Sequence, residues 1–241
     1  MRFSMISLGA LMLATATPAF AQEETSPPEP VTISGGATVV SDYRFRGFSQ
    51  TNEEATIQGT FTISHESGLY VGTWGSGIGF ANGTEIDLYG GYSTDITDGV
   101  GIDVGATVYL YPGASNSTII EPYAKLKTSI GPASLTTGIA WAPGGQDSLG
   151  GDSGVYVSGD LGLSVPGTPL SVTGHAGWAK SDSFLGGLDG EVFDYSIGVS
   201  ASWKALTLGV AYVNTDETTT GGWKEGIGAD GAAIFSLSAA F

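Results

Sequence analysis

The stretch Glu54-Ala-Thr-Ile-Gln-Gly-Thr-Phe-Thr-Ile-Ser64 decides the fold. Its odd positions, Ala55, Ile57, Gly59, Phe61 and Ile63, are apolar or small, and its even positions, Glu54, Thr56, Gln58, Thr60, Thr62 and Ser64, are all polar. Successive side chains point to opposite faces of a strand, whereas a helix repeats every 3.6 residues, so a strict period of two predicts a β-strand with one apolar and one polar face. The pattern spreads in both directions. Val31, Ile33, Ala37 and Val39 oppose Thr32, Ser34 and Thr38; Ile86, Leu88 and Tyr92 alternate with Glu85, Asp87, Tyr89 and Ser93; Val100, Ile102, Val104, Ala106, Val108 and Leu110 alternate with Asp103, Gly105 and Thr107. Similar runs lie near 69–77, 119–129, 133–142, 154–165, 170–179, 192–203, 205–213 and 232–241, which makes twelve. Faces in 69–77 stay unassigned, because Tyr70 and Trp74 oppose Leu69 and Val71, and Pro122 weakens the start of 119–129 because it lacks a ladder donor.

The connections alternate in length. Segments 42–53, 77–83, 112–118, 143–153, 180–191 and 214–231 are medium or long, and between them come tight links such as Glu66-Ser67-Gly68, Ile130-Gly131-Pro132, Pro166-Gly167-Thr168-Pro169 and the turn at Lys204. Short turns at one end and long loops at the other are the plan of bacterial outer-membrane barrels. The reading is an all-β chain forming a single transmembrane antiparallel β-barrel of about twelve strands, with short periplasmic turns and longer extracellular loops.

Composition agrees. The 241 residues include 39 Gly, no Cys, 8 Lys plus Arg and 24 Asp plus Glu, for a net charge of −16, and only 13% are charged, where a soluble domain carries about 25%. The acidic balance excludes a nucleic-acid binder, and the missing Cys excludes disulfide frameworks, thiolate metal sites and a Cys nucleophile. The polar faces hold Gly, Ser, Thr, Asn and isolated acids, without the Lys that guards open sheet edges, and a closed sheet has no edge to guard. Aromatic residues collect at strand ends on the apolar face. Tyr43, Phe45, Trp141, Trp178, Phe193 and Tyr212 are placed at the long-loop end, and Tyr92, Trp203 and Phe241 at the short-turn end, as two girdles at the bilayer interfaces. Phe235, Leu237, Ala239 and Phe241 share the face of a last strand that stops on an aromatic, which looks like the C-terminal signature read by the barrel-assembly machinery during insertion.

The N-terminus reads as an address. Met1-Arg2, an apolar run from Met5 to Ala16 and Ala19-Phe20-Ala21 make residues 1–21 a cleaved signal peptide. Residues 22–30 are acidic and Pro-rich and read as a periplasmic tether, and 31–241 as the outer-membrane barrel, exported to the bacterial outer membrane.

Gly36-Ala-Thr-Val-Val-Ser-Asp-Tyr-Arg-Phe-Arg-Gly-Phe-Ser-Gln-Thr51, Ile57-Gln-Gly-Thr-Phe61, His65-Glu-Ser-Gly-Leu-Tyr-Val-Gly-Thr-Trp-Gly-Ser-Gly77 and Glu85-Ile-Asp-Leu-Tyr-Gly-Gly-Tyr-Ser93 resemble the opening of the TorF-type family of candidate porins, the Gcw_chp domain of proteobacterial conserved hypothetical proteins. The resemblance is specific over roughly 34–93 and looser beyond, and implies an outer-membrane porin-like barrel. It brings no functional residues with it.

Candidate pore-lining residues are the charges on inward positions: Asp87, Asp103, Glu121, Lys125, Lys127, Asp160, His175 and Asp194. Arg44, Arg46 and Glu54, with Asp42 and Glu53, are placed at the rim. These charges read either as a polar filling that stiffens a narrow barrel or as a selectivity zone for small solutes. No cofactor or metal is expected, since two His without Cys make neither a His₃ nor a Cys/His zinc site, and the Gly-rich pieces lack the strand–helix setting and Lys of a phosphate loop. The function expected is passive diffusion of small hydrophilic solutes or ions, with a mild preference for cations. Alternatives are a non-conducting structural or surface-interaction barrel and an outer-membrane hydrolase, the latter disfavoured because His65 sits beside a tight turn and His175, on the polar face with Ser171 and Thr173, points towards the lumen and away from lipid. Inward Tyr89, Tyr109, Tyr123 and Tyr156 argue for a filled lumen, and the many small lumenal residues for an open one. Expected partners are outer-membrane lipids, small hydrophilic solutes, and lipopolysaccharide bridged through divalent cations by the loop acids Asp182, Asp189, Glu191, Asp216, Glu217 and Glu225.

Overall fold

The computed structural model describes residues 30–217 and 228–241; the signal peptide and most of the tether lie outside the described residues. Fourteen strands occur among them: β1 (Val31–Val40), β2 (Arg44–Phe45), β3 (Phe48–Ser49), β4 (Thr56–His65), β5 (Leu69–Gly77), β6 (Thr84–Thr97), β7 (Val100–Leu110), β8 (Ile119–Ile130), β9 (Ala133–Ala142), β10 (Gly154–Ser164), β11 (Leu170–Ser181), β12 (Glu191–Trp203), β13 (Leu206–Thr215) and β14 (Ala232–Ala240). Twelve of them close a barrel of antiparallel neighbours in chain order, sealed where β1 pairs with both β4 and β14; β2 and β3 form a separate two-stranded hairpin. The twelve barrel strands are the twelve periodic runs of the sequence.

Period two sets the two faces. Ile57, Leu69, Val71, Leu88, Ile139, Leu161, Ile197, Leu208 and Phe235 are exposed on the outside, while Thr62, Asp87, Asp103, Glu121, Asp194 and Ser200 are buried inside. This inverts a soluble sheet, and a closed ladder with an apolar outer surface is the form a sheet takes where no water can satisfy an edge. The faces of β5 are now assigned: Leu69 and Val71 point out, and Trp74 is buried within.

Inward tyrosines fit because glycines face them. Tyr70 pairs with Gly91, Tyr89 with Gly72 and Tyr123 with Gly105. A Cβ on Gly91 would lie 2.7 Å from the Tyr70 hydroxyl, and one on Gly105 at 2.7 Å from that of Tyr123. Part of the abundant Gly thus makes room for rings laid along the inner wall.

Pro122 sits within β8 at little cost. Residues 119–122 pair with β7 alone, and the ladder to β9 starts at Tyr123. Gln146 covers the gap like a strand residue: its Oε1 accepts from Ile120 N at 2.7 Å and its Nε2 donates to Ile120 O at 3.2 Å.

The girdles hold with two corrections. Trp141, Trp178, Phe193 and Tyr212 at one end and Tyr92, Trp203 and Phe241 at the other are exposed on the outer face. Tyr43 and Phe45 are not part of them. Tyr43 is buried and its ring lies 5.1 Å from that of Trp74, and Phe45 packs edge-on to Tyr109 at 5.9 Å. Both belong to segment 41–53, which turns into the barrel instead of rising from it.

Candidate functional site: the lumen and its inserted hairpin

The inserted segment is built around Asp42. Its Oδ1 accepts from Ser49 Oγ (2.6 Å) and Thr51 Oγ1 (2.8 Å), and its Oδ2 from Arg44 Nε (2.5 Å). Arg44 Nη1 also donates to the carbonyls of Gly228 and Asp230, at 2.5 and 3.0 Å, and the amide of Ser49 to Gly228 O at 2.8 Å. The hairpin β2–β3 is thereby fixed to the segment that leads into β14. Gly47 makes its turn at φ +86°, a region open to Gly and costly for other residues. A Cβ there would meet Thr215 Cγ2 at 2.2 Å.

This geometry moves two residues from where the sequence placed them. Arg44 and Arg46 are not rim groups. Arg44 is buried in the stem of the hairpin, and Arg46, 8% exposed, reaches the wall of the barrel. Arg46 Nη2 donates to both oxygens of Glu121 on β8, at 2.7 and 2.8 Å, and its guanidinium lies 4.1 Å above the ring of Tyr156 on β10. The buried guanidinium is disfavoured by desolvation, but the carboxylate of Glu121 outweighs this and holds its pKa above the ordinary arginine value. Burial, reinforced by nearby Glu85 and Asp87, pushes the Tyr43 phenol well above its usual range, so it stays neutral. Glu54 is exposed. Period-two reasoning cannot foresee the insertion, because it reads strands and not the direction in which a loop turns.

The inward charges form three groups. Glu121 receives Arg46 and, at 3.0 Å, the hydroxyl of Tyr109. Asp194 and Asp160 flank His175, whose Nε2 lies 3.0 Å from Asp194 and whose Nδ1 lies 2.6 Å from Asp160; Tyr156 donates to Asp194 at 3.0 Å. Nearer the short turns, Asp103 takes Lys127 at 2.8 Å and the hydroxyl of Tyr70 at 2.6 Å, while Tyr70 and Tyr123 share a further hydrogen bond. Lys125 faces Asp103 in register, yet lies over the ring of Tyr123 at 4.6 Å. Asp87 is buried on β6, two residues from Glu85, which was not singled out as a site residue although it shares the face of Asp87. Tyr70 was missed in the same way, its face unassigned.

Several loop acids already have internal work. Glu217 is buried and accepts from Leu188 N at 3.0 Å, Asp216 accepts from Phe193 N at 2.7 Å, and Glu191 pairs with Lys180. Asp182 and Asp189 are exposed, and Glu225 lies outside the described residues. Among the described residues no group of three His, Cys, Asp or Glu is placed to hold a metal ion.

A closed twelve-stranded antiparallel barrel, apolar outside and charged within, is the architecture of outer-membrane porins, and solved porins match it. The NanC porin in a rhombohedral crystal form superposes with a TM-score of 0.60 at 10% identity, covering 87% of this chain and 99% of that one. The KdgM porin gives 0.57 at 8% identity, covering 86% and 98%, and its complex with disordered oligogalacturonate gives 0.55 at 8% identity, covering 87% and 97%. Such identities carry the fold and nothing more. The chain belongs to the family Gcw_chp, described as a bacterial protein of unknown function, whose profile matches residues 23–241. That description supports the Gcw_chp half of the resemblance and not the TorF-type designation. No curated protein sequence matches the chain.

Proposed function

We propose that the chain is an outer-membrane channel for passive diffusion of small hydrophilic solutes or ions, with short turns and both termini in the periplasm and the hairpin β2–β3 narrowing the outer mouth. The observation that carries this reading is the barrel itself: one closed wall, apolar outside and lined with charged and hydroxyl groups inside, matched by porins along almost their whole length. Aromatic residues at both ends of the outer face support an outer-membrane location. Acids outnumber bases on the lumen wall, so the passage should favour cations mildly. Exposed Asp182 and Asp189 are, among the described residues, candidates for contact with lipopolysaccharide through divalent cations.

One observation favours a non-conducting structural barrel as the second reading: Arg46 and its hairpin are fastened across the mouth. A hydrolase is disfavoured because His175 has a carboxylate at each ring nitrogen, which leaves neither to take a proton from a nucleophile. Planar-bilayer recording of the refolded mature chain tests the proposal. Discrete current steps with a reversal potential on the cation side are expected in a salt gradient. Absence of steps sinks the channel, and an anion-side potential sinks its selectivity.

A further inference from the structure

Most acids of the lumen have a basic partner. Glu121 has Arg46, Asp103 has Lys127, and Asp160 and Asp194 share His175. Glu85 and Asp87 have no basic partner among the described residues, although they are only 2% and 5% exposed. One oxygen of each, Glu85 Oε2 and Asp87 Oδ1, is buried without a hydrogen-bond donor. Buried polar atoms are nearly always satisfied, so these two oxygens are open to hydrogen-bond donors that the described wall does not supply.

The surroundings say which kind of cation. Register sets Asp87 between Trp74 on β5 and Tyr109 on β7. Tyr111 donates to Glu85 Oε1 at 3.2 Å, and Tyr43 of the inserted segment covers the pair with its ring against Trp74. Two carboxylates are too few for a calcium cage and do not make the octahedral shell that magnesium demands. Aromatic faces, by contrast, attract ammonium groups and accept the alkyl carbons attached to them. Several rings around two acceptor oxygens suit a group with N–H donors on a short apolar stem.

We propose that Glu85 and Asp87, with Trp74, Tyr109 and Tyr43, form a binding station for the primary-ammonium group of a small solute. Its place in permeation rests on the channel reading, but the binding does not. Ligand-observed proton NMR reads it on refolded mature protein in detergent micelles, with methylammonium chloride replacing sodium chloride at constant ionic strength. Saturable broadening of the methylammonium methyl line is expected. Asp87→Asn and Glu85→Gln should each weaken it at least tenfold, and Asp152→Asn, in an exposed loop, should leave it unchanged. A heat-modifiable gel shift confirms that each variant is folded. Broadening that does not saturate, or that survives in both carboxylate variants, overturns the station. So does binding that emerges only after Lys224→Ala, because Lys224 would then supply the missing cation. Bilayer recording separates the two readings: binding without current steps leaves the station and removes the channel, and current steps without binding do the reverse.

Discussion

The two halves of the lumen bury charge in different ways. Toward the short turns, Asp103, Lys127, Tyr70 and Tyr123 come from β5, β7 and β8, all strands of the barrel wall, with Lys127 reaching Asp103 diagonally and Tyr70 reaching it across β6. Toward the long loops, Glu121 on β8 is met by Arg46, which arrives from a hairpin between β1 and β4 and also covers Tyr156 on β10. In the first half both partners of each pair belong to strands of the wall. In the second, the positive charge rides on a segment outside the barrel ladder. The difference teaches which part can change state: the hairpin can leave its seat while all twelve wall strands keep their hydrogen bonds.

The largest effect should come from Gly47→Val. A β-branched residue at φ +86° is strained, and its Cβ would overlap Thr215 and press on the Cβ of Asp194 at 3.1 Å. The hairpin should lose its seat, conductance should rise several-fold, and the gel shift of the folded barrel should persist. Unchanged conductance in a folded variant breaks the comparison, since the hairpin would then not be what narrows the mouth.

Arg46→Ala comes next. It removes an ion pair in which one guanidinium nitrogen serves both oxygens of Glu121, and leaves that carboxylate with the Tyr109 hydroxyl. Stripping one partner from a dry buried pair costs about 3–5 kcal/mol, and water reaching the mouth lowers this. We expect about a twofold rise in conductance and a stronger cation preference, with Arg46→Lys in between because an ammonium keeps the charge but loses the planar stacking on Tyr156. A fall in the thermal midpoint of the whole barrel, with conductance unchanged, would show the pair to be a wall contact like that of Asp103.

These variants also mark what the sequence could show. Strand number, inward and outward faces and the outer aromatic residues on strands were legible because each depends on a period of two within one segment. Tyr43 and Phe45 were misassigned by that same rule: they follow β1 and continue its pattern, but the chain leaves the wall at Ser41 and turns inward. Arg44 and Arg46 were called rim residues for the same reason. No local pattern reports that Asp42 will gather Ser49, Thr51 and Arg44 into a compact turn, or that Arg44 will reach the carbonyls of Gly228 and Asp230, far along the chain. Lys127 and Lys125 were recognised as a lumenal pair, but which of them takes Asp103 depends on a diagonal contact that register alone does not decide.

In the short-turn half, Lys127→Ala should change selectivity more than size. Asp103 would keep the Tyr70 hydroxyl and lose its cation, and Lys125 would remain on the ring of Tyr123. The reversal potential should move a few millivolts further to the cation side with conductance nearly constant. A conductance gain as large as that of Arg46→Ala would erase the distinction between the halves.

The smallest effect belongs to a pair that shares strand register with the wall and exposure with the loops. Lys180 on β11 stands directly opposite Glu191 on β12, and the two side chains are joined although 59% and 51% exposed. Water and salt screen such a pair, and exposed ion pairs contribute little. Lys180→Ala should therefore leave both the thermal midpoint and the conductance unchanged at physiological salt. Ladder position then counts for nothing without burial, which confines the contrast between the halves to charges held inside the barrel. A clear drop in the midpoint, abolished by added salt, would extend it to the surface.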